Sequence, residues 1–167
     1  MRVVHYTDLP FQLRPISIKN GDGKTGLFIK PCGGLWCSPL DSKWDWSDWC
    51  RSESYGDIDN QSKVILDIDT TNLVIIDCIE DMETKLSWYM FHDKFEAIDF
   101  ENMVRKGIDG IYLTEKGQED TRWSRSRSLY GWDCETVLIL NERCVNAVEV
   151  VKNECRSVGL YGVRILA

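Results

Sequence analysis

Residues 130–141 read Tyr-Gly-Trp-Asp-Cys-Glu-Thr-Val-Leu-Ile-Leu-Asn, and this segment decides how the rest of the chain is interpreted. The apolar run at 136–140 predicts a short strand. Two acidic residues, Asp133 and Glu135, stand immediately before that run. Because residues two apart in a strand share a face, we expect both carboxylates on one side of the sheet, where the strand begins.

Short strand-like segments also occupy the sequence on the N-terminal side. Residues 63–69 alternate apolar and polar side chains like a half-buried strand, and the apolar run at 73–77 is typical of a buried one. The other expected extended segments are 2–6, 12–19, 35–38, 109–113 and 162–166; the expected helices are 42–50, 80–91, 100–106 and 147–158, with a turn at 20–23 and a surface loop at 114–128. These roughly seven strands and three or four helices do not alternate regularly, which predicts an α+β fold with a mostly antiparallel or mixed sheet.

Size and charge limit the classes of protein. With 167 residues the chain is long enough for a single domain, expected to span 1–167. A net charge of −7 repels nucleic-acid phosphates and anionic membranes, so contact with nucleic acid requires a local basic patch. No apolar run approaches the roughly 20 residues of a membrane span, and the N-terminus lacks the apolar core of a signal peptide. We expect a monomer without a membrane partner, in the cytoplasm of a bacterium or of a host cell into which it is delivered.

The cysteines do not predict a metal site. The chain has 7 cysteines and no secretory signal, so free thiols are expected. Cys32, Cys37 and Cys50 are the nearest to a cluster, but they lack a paired C-x2-C and a nearby fourth ligand. A cysteine nucleophile would need a histidine partner, and nothing in the sequence pairs His5 or His92 with a thiol.

Common nucleotide and hydrolase motifs are missing from the sequence. There is no G-x-x-x-x-G-K-[ST], no H-E-x-x-H and no G-x-S-x-G, and the glycines at 21, 23 and 26 are followed by the short apolar segment 27–30 rather than by the helix that a dinucleotide-binding G-x-G-x-x-G opens. The P-loop, dinucleotide-binding Rossmann, zincin and α/β-hydrolase classes therefore have no support.

A series of short cues follows in order along the chain. They are His5-Tyr6-Thr7, then Gly34-Leu35-Trp36-Cys37-Ser38 with the aromatic-rich segment 42–50 behind it, the strand at 63–69, Asp109-Gly110-Ile111-Tyr112, and the segment 130–141. In this order the sequence resembles the ADP-ribosyltransferase superfamily, on the histidine–tyrosine–glutamate side that includes poly-ADP-ribose polymerases, diphtheria-type toxins and small bacterial and phage transferases. The resemblance covers nearly the whole chain and implies a split mixed β-sheet with a few short helices.

The resemblance implies an NAD-dependent transferase, with NAD as substrate and no metal. Such an enzyme holds nicotinamide flat, binds the ribose hydroxyls and stabilises positive charge on the sugar. The matching positions for NAD are His5, Tyr6, Thr7, Trp36, Ser38 and Trp49. His5 stands where the family has its ribose-binding histidine, and Trp36 stands where the family usually has a stacking tyrosine. Glu135 matches the catalytic carboxylate, with Asp133 as the alternative.

The segment between Glu115 and Tyr130 corresponds to the family's acceptor-contacting loop. Its Arg122, Trp123, Arg125 and Arg127 form a basic, aromatic stretch that suits an anionic macromolecular acceptor, either a protein or a nucleic acid. The implied activity is mono-ADP-ribosylation by a toxin, effector or antidefence protein. Two features depart from the family pattern. Position 36 is a tryptophan where the family usually has a tyrosine, and no Glu-x-Glu motif precedes the last strand. A catalytically inactive member that binds a partner, and a structural α+β domain outside the family, remain alternatives.

Overall fold

The alternating segment near residues 63–69 lies at the centre of one half of the main sheet. A computed structural model of the chain describes residues 1–21, 29–125 and 127–151. The strand Ser62–Ile68 buries Val64 and Leu66, whereas Lys63 and Asp67 face solvent. Its two edges pair with two other strands, at opposite ends of the chain. Alternating polarity therefore produces a strand with one buried face, as expected.

The described residues form short strands joined by short helices. The strands are β1 (Arg2–Thr7), β2 (Leu35–Pro39), β3 (Ser62–Ile68), β4 (Leu73–Ile76), β5 (Trp88–Phe91), β6 (Phe95–Ile98), β7 (Gly110–Leu113), β8 (Thr136–Ile139) and β9 (Val145–Val151). The α-helices are α1 (Trp46–Glu53), α2 (Ile79–Lys85), α3 (Phe100–Arg105) and α4 (Glu115–Thr121). Within the described ranges, no helix has both the length and the apolar character needed to cross a membrane.

Seven of these strands form one sheet in the order β4-β7-β8-β2-β1-β3-β9, and β5 and β6 form a separate hairpin. Neighbours in the large sheet run antiparallel, except β4 and β7, which are parallel. The protein is thus a mixed α+β structure with a mostly antiparallel sheet and a few short helices. The fold class expected from the sequence is confirmed at this level.

The sheet divides between β1 and β2. These two strands pair only through Val3 with Pro39 and Val4 with Ser38. Beyond that point, His5, Tyr6 and Thr7 remain paired with β3, whereas residues 35–37 of β2 pair with β8. Two strands that share so short a ladder separate from each other at one end, and this leaves an opening in the middle of the sheet.

Two apolar clusters cover the two faces of the sheet. One contains Leu138, Trp132 and Phe100, and the other contains Val137 and Ile139 together with apolar residues of β1 and β3. Neighbouring residues of β8 thus point into different clusters. This explains the continuous apolar run of β8, because a strand covered on both faces has no solvent-facing positions.

The segment 80–91, predicted as one helix, is instead a helix followed by a strand. Helix α2 ends at Lys85, and β5 begins at Trp88 and pairs with β6. His92 and Asp93 have φ angles of 50° and 55°, which turn the chain between the two strands. The Trp88 indole N–H donates to the carbonyl of Met82 at 3.1 Å, so the hairpin packs back on the helix. The apolar residues of α2 and β5 face the same core, so their spacing along the sequence matched the spacing expected of one continuous helix.

The segment 114–128, predicted as a loop, begins with helix α4. The hydroxyl of Thr114 accepts a hydrogen bond from the backbone N–H of Gly117 at 3.1 Å and caps the helix N-terminus. A threonine cap of this kind stabilises a helix whose side chains are mostly polar. The loop prediction is therefore wrong for 115–121.

The prediction of a helix from 147 is also wrong. Residues 147–151 belong to β9, which pairs with residues 63–67 of β3 in regular antiparallel register before the register shifts between Asp67 and Ile68. The backbone pairing with β3, a strand distant in sequence, decides the conformation of this segment. The rest of that predicted helix, the strand predicted at 162–166 and part of the turn at 20–23 lie outside the described residues. Of the extended segment 12–19, only Lys19 makes a strand-like pair, with Cys32.

Gly117 is required by the contact between α4 and β4. Alanine normally favours a helix over glycine by about 1 kcal/mol, but a Cβ at this position would lie 2.0 Å from the carbonyl oxygen of Ile76. We expect Gly117→Ala to lower the free energy of unfolding by roughly 1–3 kcal/mol, the usual cost of overpacking. Urea denaturation measures this, with Lys116→Ala on the exposed side of the same helix as the control. A Gly117→Ala variant as stable as wild type would contradict the close packing of α4.

Candidate functional site

A cavity of about 290 Å³ opens where β1 and β2 separate. Its walls combine aromatic and polar side chains from distant parts of the chain. The aromatic residues are Tyr6, Trp36, Trp46 and Trp132, and the residues that can form hydrogen bonds or ion pairs include His5, Lys30, Ser38 and Asp133. A largely apolar cavity with a few convergent polar groups is the usual form of a small-molecule site.

Trp36 and Trp132 form one rigid wall of the cavity. Their rings meet edge to face, with centroids 4.9 Å apart. Trp132 is 1% exposed, and its indole N–H donates to the carbonyl of Ile29 at 2.8 Å. Both tryptophans belong to the same apolar cluster, so neither ring can move without disturbing the core.

Trp46 reaches the cavity from helix α1, where it stacks on Trp49 with centroids 5.0 Å apart and an interplanar angle of 15°. The helix begins there because Asp45 caps it and accepts the N–H of Asp48 at 2.9 Å. The hydroxyl of Ser38 accepts the N–H of Trp46 at 3.0 Å, which ties the helix to β2. The local sequence therefore fixes where Trp46 lies.

A hydrogen bond from Tyr6 also fastens α1 to β1. The Tyr6 hydroxyl donates to a carboxylate oxygen of Asp45 at 2.8 Å. Burial, followed by the interactions with Asp45, raises the pKa of Tyr6 to about 12, although a hydrogen bond with Ser47 opposes the shift. Burial would raise the pKa of Asp45, but hydrogen bonds from Ser47, Asp48 and Tyr6 bring it below its usual value. The donor and acceptor are thus a neutral phenol and an ionised carboxylate.

His5 offers an unprotonated ring nitrogen. Its Nδ1 lies 2.8 Å from the backbone carbonyl of Trp36. A carbonyl only accepts hydrogen bonds, so Nδ1 carries the proton and Nε2 of the neutral ring has a free lone pair. Burial lowers the pKa of His5 below 6.5, and this effect outweighs the hydrogen bond to Trp36, which raises it. At neutral pH the side chain is an uncharged hydrogen-bond acceptor.

The lowered pKa of His5 predicts a pH-dependent stability. As the pH falls below about 6.5, the unfolded chain binds the proton before the folded chain does, so the free energy of unfolding decreases. We expect His5→Gln to lose less stability than wild type between roughly pH 7 and pH 5. Urea titrations across this range measure the difference, and His92→Asn, at the exposed histidine, serves as control. Parallel curves for wild type and His5→Gln would contradict the shift.

Asp133 and Lys30 form an ion pair at the cavity. The Lys30 ammonium lies 3.5 Å from the Asp133 carboxylate and 5.5 Å from the centre of the Trp36 ring. Both side chains keep some solvent exposure, so the attraction is weakened by water. The cavity thus contains an anion and a cation that a polar ligand can separate.

Glu135 does not line the cavity. Its carboxylate accepts a hydrogen bond from the Tyr112 hydroxyl at 2.6 Å, and Tyr112 packs against the apolar cluster on the other face of the sheet. Burial and this hydrogen bond raise the pKa of Tyr112. The expectation that Asp133 and Glu135 share a face is wrong, because β8 begins only at Thr136 and strand alternation does not apply before it.

Of the other residues matched to NAD, Tyr6, Trp36 and Ser38 lie at the cavity and Thr7 and Trp49 do not. The Thr7 hydroxyl accepts the N–H of Leu9 at 3.2 Å, and Trp49 stands behind Trp46.

Three aromatic or charged residues of the cavity wall, Lys30, Trp46 and Trp132, had no role assigned from the sequence. Trp46 lies in the same aromatic-rich segment as Trp49, the position matched to NAD, and three residues before it. Trp132 lies next to Asp133 in the sequence, where no motif assigns it a role. Lys30 is adjacent to Asp133 only in the folded chain, so no local pattern could identify it.

The arginines of the expected acceptor loop have different environments. Arg127 is engaged: its Nε donates to Glu96 at 3.0 Å and its guanidinium lies 4.6 Å from the centre of the Trp88 ring. It therefore supports the β5–β6 hairpin, and its role as an acceptor contact stays a prediction. Arg122 lies against the rings of Trp123 and Tyr130, and Arg125 is exposed.

Among the described residues, no group of three or more His, Cys, Asp or Glu side chains could hold a metal ion. The cysteines at 32, 37, 50, 78, 134 and 144 are free thiols. No family model matches the chain, and searches of curated proteins and of solved structures find no match either. The fold and site define an α+β protein with a largely apolar cavity, lined by a few polar side chains, at the division of its main sheet.

Proposed function

We propose that this protein is an NAD-dependent mono-ADP-ribosyltransferase that modifies a macromolecular acceptor. The observation that carries the proposal is the meeting of His5, Trp36 and Asp133 at one cavity, although they are far apart in sequence. The division of the sheet between β1 and β2 supports it, since the resemblance implies a split mixed sheet. The protein acts as a monomeric toxin, effector or antidefence factor in the cytoplasm of a bacterium or of a host cell.

The cavity holds the nicotinamide and its ribose, while the adenylate half of NAD extends outside. A volume of about 290 Å³ is close to the lower end of small-molecule sites, about 300 Å³, and suits only part of a dinucleotide. The planar nicotinamide packs against the indoles of Trp36 and Trp46. Aromatic faces exclude water from the ring and orient the bond that breaks.

The polar residues have distinct roles in the reaction. The Nε2 lone pair of His5 accepts a hydrogen bond from a ribose hydroxyl. Lys30 binds the diphosphate, and this separates it from Asp133. The freed carboxylate of Asp133 stabilises the positive charge that develops at C1′ of the ribose.

The transfer proceeds at C1′ of the ribose. The C1′–nitrogen bond to nicotinamide breaks, and its electron pair leaves with nicotinamide as a neutral molecule. A nucleophile of the acceptor then forms a bond to C1′ and loses its proton to solvent. Asp133, rather than Glu135, is assigned as the stabilising anion because Glu135 is bonded to Tyr112 on the opposite face.

Incubation with NAD labelled in its adenylate half tests the proposal. Nicotinamide release is followed by chromatography, and label transfer is followed with and without cell lysate. We expect slow release without lysate, and faster release with labelled macromolecules when lysate is added. The His5→Ala variant is the matched control. The absence of both release and labelling with every lysate would overturn the proposal.

A catalytically inactive binding module of the same fold is the second candidate. The Lys30–Asp133 ion pair favours it, because a paired carboxylate stabilises a developing cation less than a free one does. Calorimetric titration with NAD separates the two candidates. An inactive binder of another protein gives neither heat of NAD binding nor nicotinamide release.

A further inference from the structure

Two aromatic side chains form an exposed surface close to the cavity. Trp123 is 74% exposed and Tyr130 is 50% exposed, and their ring centroids lie 5.1 Å apart. Trp123 is the most exposed of the large hydrophobic residues in the described part of the chain. Because water contact with large aromatic rings is unfavourable, such a pair indicates a surface that binds a partner.

The pair is held in place by the loop that carries it. The Ser128 hydroxyl donates to the carbonyl of Arg122 at 2.6 Å and accepts the N–H of Tyr130 at 3.0 Å. These bonds bring the two ends of the loop together. Arg127 ties the loop to the β5–β6 hairpin through Glu96. A surface that is organised before binding loses less entropy when a ligand binds.

Arg122 adds a positive charge to the rings. Its guanidinium carbon lies 4.8 Å from the centre of the Tyr130 ring and 5.7 Å from that of Trp123. Within the described residues Arg122 has no carboxylate at ion-pair distance, in contrast to Arg127, which pairs with Glu96. A guanidinium packed on an aromatic face still has N–H groups that can bind phosphate.

The aromatic surface, defined by Arg122, Trp123 and Tyr130, adjoins the cavity. Tyr130 is followed directly by Gly131, which lines the cavity, and then by Trp132 and Asp133. Consecutive Cα atoms are about 3.8 Å apart. Tyr130 is therefore only three positions along the chain from Asp133, the residue assigned to the ribose.

We propose that the aromatic surface binds a base and an adjoining phosphate of a single-stranded nucleic acid, which is the acceptor. This inference rests on the proposed function and names its substrate class. In a single strand, a base can stack on the exposed rings while its phosphate binds the adjacent arginine. An acidic protein surface would bind the arginine but would offer no base to stack on the rings. In a duplex the base faces are stacked on neighbouring bases, so they cannot stack on the rings of the protein. The net charge of −7 restricts contacts to the few phosphates near the local arginines.

In the transfer itself, a nucleophilic oxygen or nitrogen of the base bonds to C1′ of the ribose. The C1′–nitrogen bond of NAD breaks with its electron pair on nicotinamide, and the proton of the nucleophile passes to solvent. NAD is the only co-reactant. The modified base is the one that stacks on the aromatic surface or its immediate neighbour.

Binding of fluorescently labelled oligonucleotides, without NAD, tests the surface. The probes are single-stranded DNA and RNA of about twelve nucleotides, together with a duplex of the same sequence. This length lies within the roughly 4–16 nucleotides that a single-strand binding site usually occupies. We expect one of the single strands to bind better than the duplex. Trp123→Ala should weaken this binding by about 5- to 150-fold, as stacking of one base implies. Trp44→Ala, which removes a tryptophan that is 44% exposed elsewhere, should bind like wild type.

The salt dependence tests the role of Arg122. Each phosphate contact on a single strand contributes about −0.7 to the slope of log K against log salt, so Arg122→Ala should reduce the slope by about 0.7. Equal affinity for duplex and single strand, or no effect of Trp123→Ala, would overturn the inference. Nicotinamide release and protein labelling without oligonucleotide binding would overturn the acceptor assignment and leave the proposed function intact. Oligonucleotide binding without any nicotinamide release would overturn the proposed function and the acceptor role together.

Discussion

The Asp133→Asn variant should release nicotinamide from NAD about 10²–10³-fold more slowly than wild type. Losing one fixed electrostatic contact to developing charge has this effect in other enzymes. The substitution keeps the size of the side chain and its ability to accept a hydrogen bond, but it removes the anion that stabilises positive charge at C1′. Single-turnover release of nicotinamide at saturating NAD measures the chemical step. The affinity for NAD should change much less, because Lys30 and the aromatic walls are unaltered.

Glu135→Gln is the matched control for this prediction. It is another carboxylate-to-amide change, two residues away, and the amide oxygen can still accept the hydrogen bond from Tyr112. We expect release within a few-fold of wild type. Both variants should fold normally, since the Lys30–Asp133 pair is partly solvated and contributes about 0–1 kcal/mol. A large loss in Glu135→Gln with normal release in Asp133→Asn would transfer the role to Glu135, as the family resemblance first suggested.

The strands of the fold were predictable where a single face is buried. The alternation of Val64 and Leu66 with polar residues identified β3 because one side of that strand packs on the core. Continuous apolar runs were less informative. The run at 73–77 predicted a buried strand, yet β4 stands at the edge of the sheet and Ile75 is 40% exposed. Pairing partners decide such cases, and they are distant in sequence.

Helices were predictable where local capping and periodicity agree. The helix predicted at 100–106 is present, capped by Asp99 at its N-terminus and followed by Gly107, which has a φ of 85°. The β5–β6 hairpin was missed because apolar residues spaced by three and four can also come from two elements on one core. Strand β9 was missed because its stability comes from the ladder with β3 rather than from its own residues.

His5, Trp36 and Asp133 were candidates from the sequence and lie at the cavity, whereas Trp46, Trp132 and Lys30 were not foreseen. His5 and Trp36 lie on regular strands, so their positions follow from the order of the elements. Asp133 and Glu135 lie just before a strand, where the backbone follows no period. Lys30 approaches Asp133 across 103 residues of sequence. The electrostatics of the cavity therefore depend on irregular backbone that local patterns do not describe.

Trp132 should contribute the largest share of stability of any single side chain at the cavity. It is 1% exposed, meets Trp36 edge to face and donates its indole N–H to Ile29. We expect Trp132→Ala to lower the free energy of unfolding by about 3–5 kcal/mol, as for other buried tryptophans. Guanidinium chloride denaturation, followed by circular dichroism, measures the change.

Two further variants separate the sources of that loss. Trp123→Ala removes an exposed indole from the same loop and should change the stability by no more than about 0.5 kcal/mol. Trp132→Phe keeps an aromatic ring but leaves the carbonyl of Ile29 without its donor, which costs about 1–3 kcal/mol where water cannot replace it. If Trp132→Ala were no more destabilising than Trp123→Ala, the wall formed by Trp36 and Trp132 could not be rigid. The cavity would then lack a fixed aromatic surface against which a planar ring can be held, and the assignment of nicotinamide to that wall would fail.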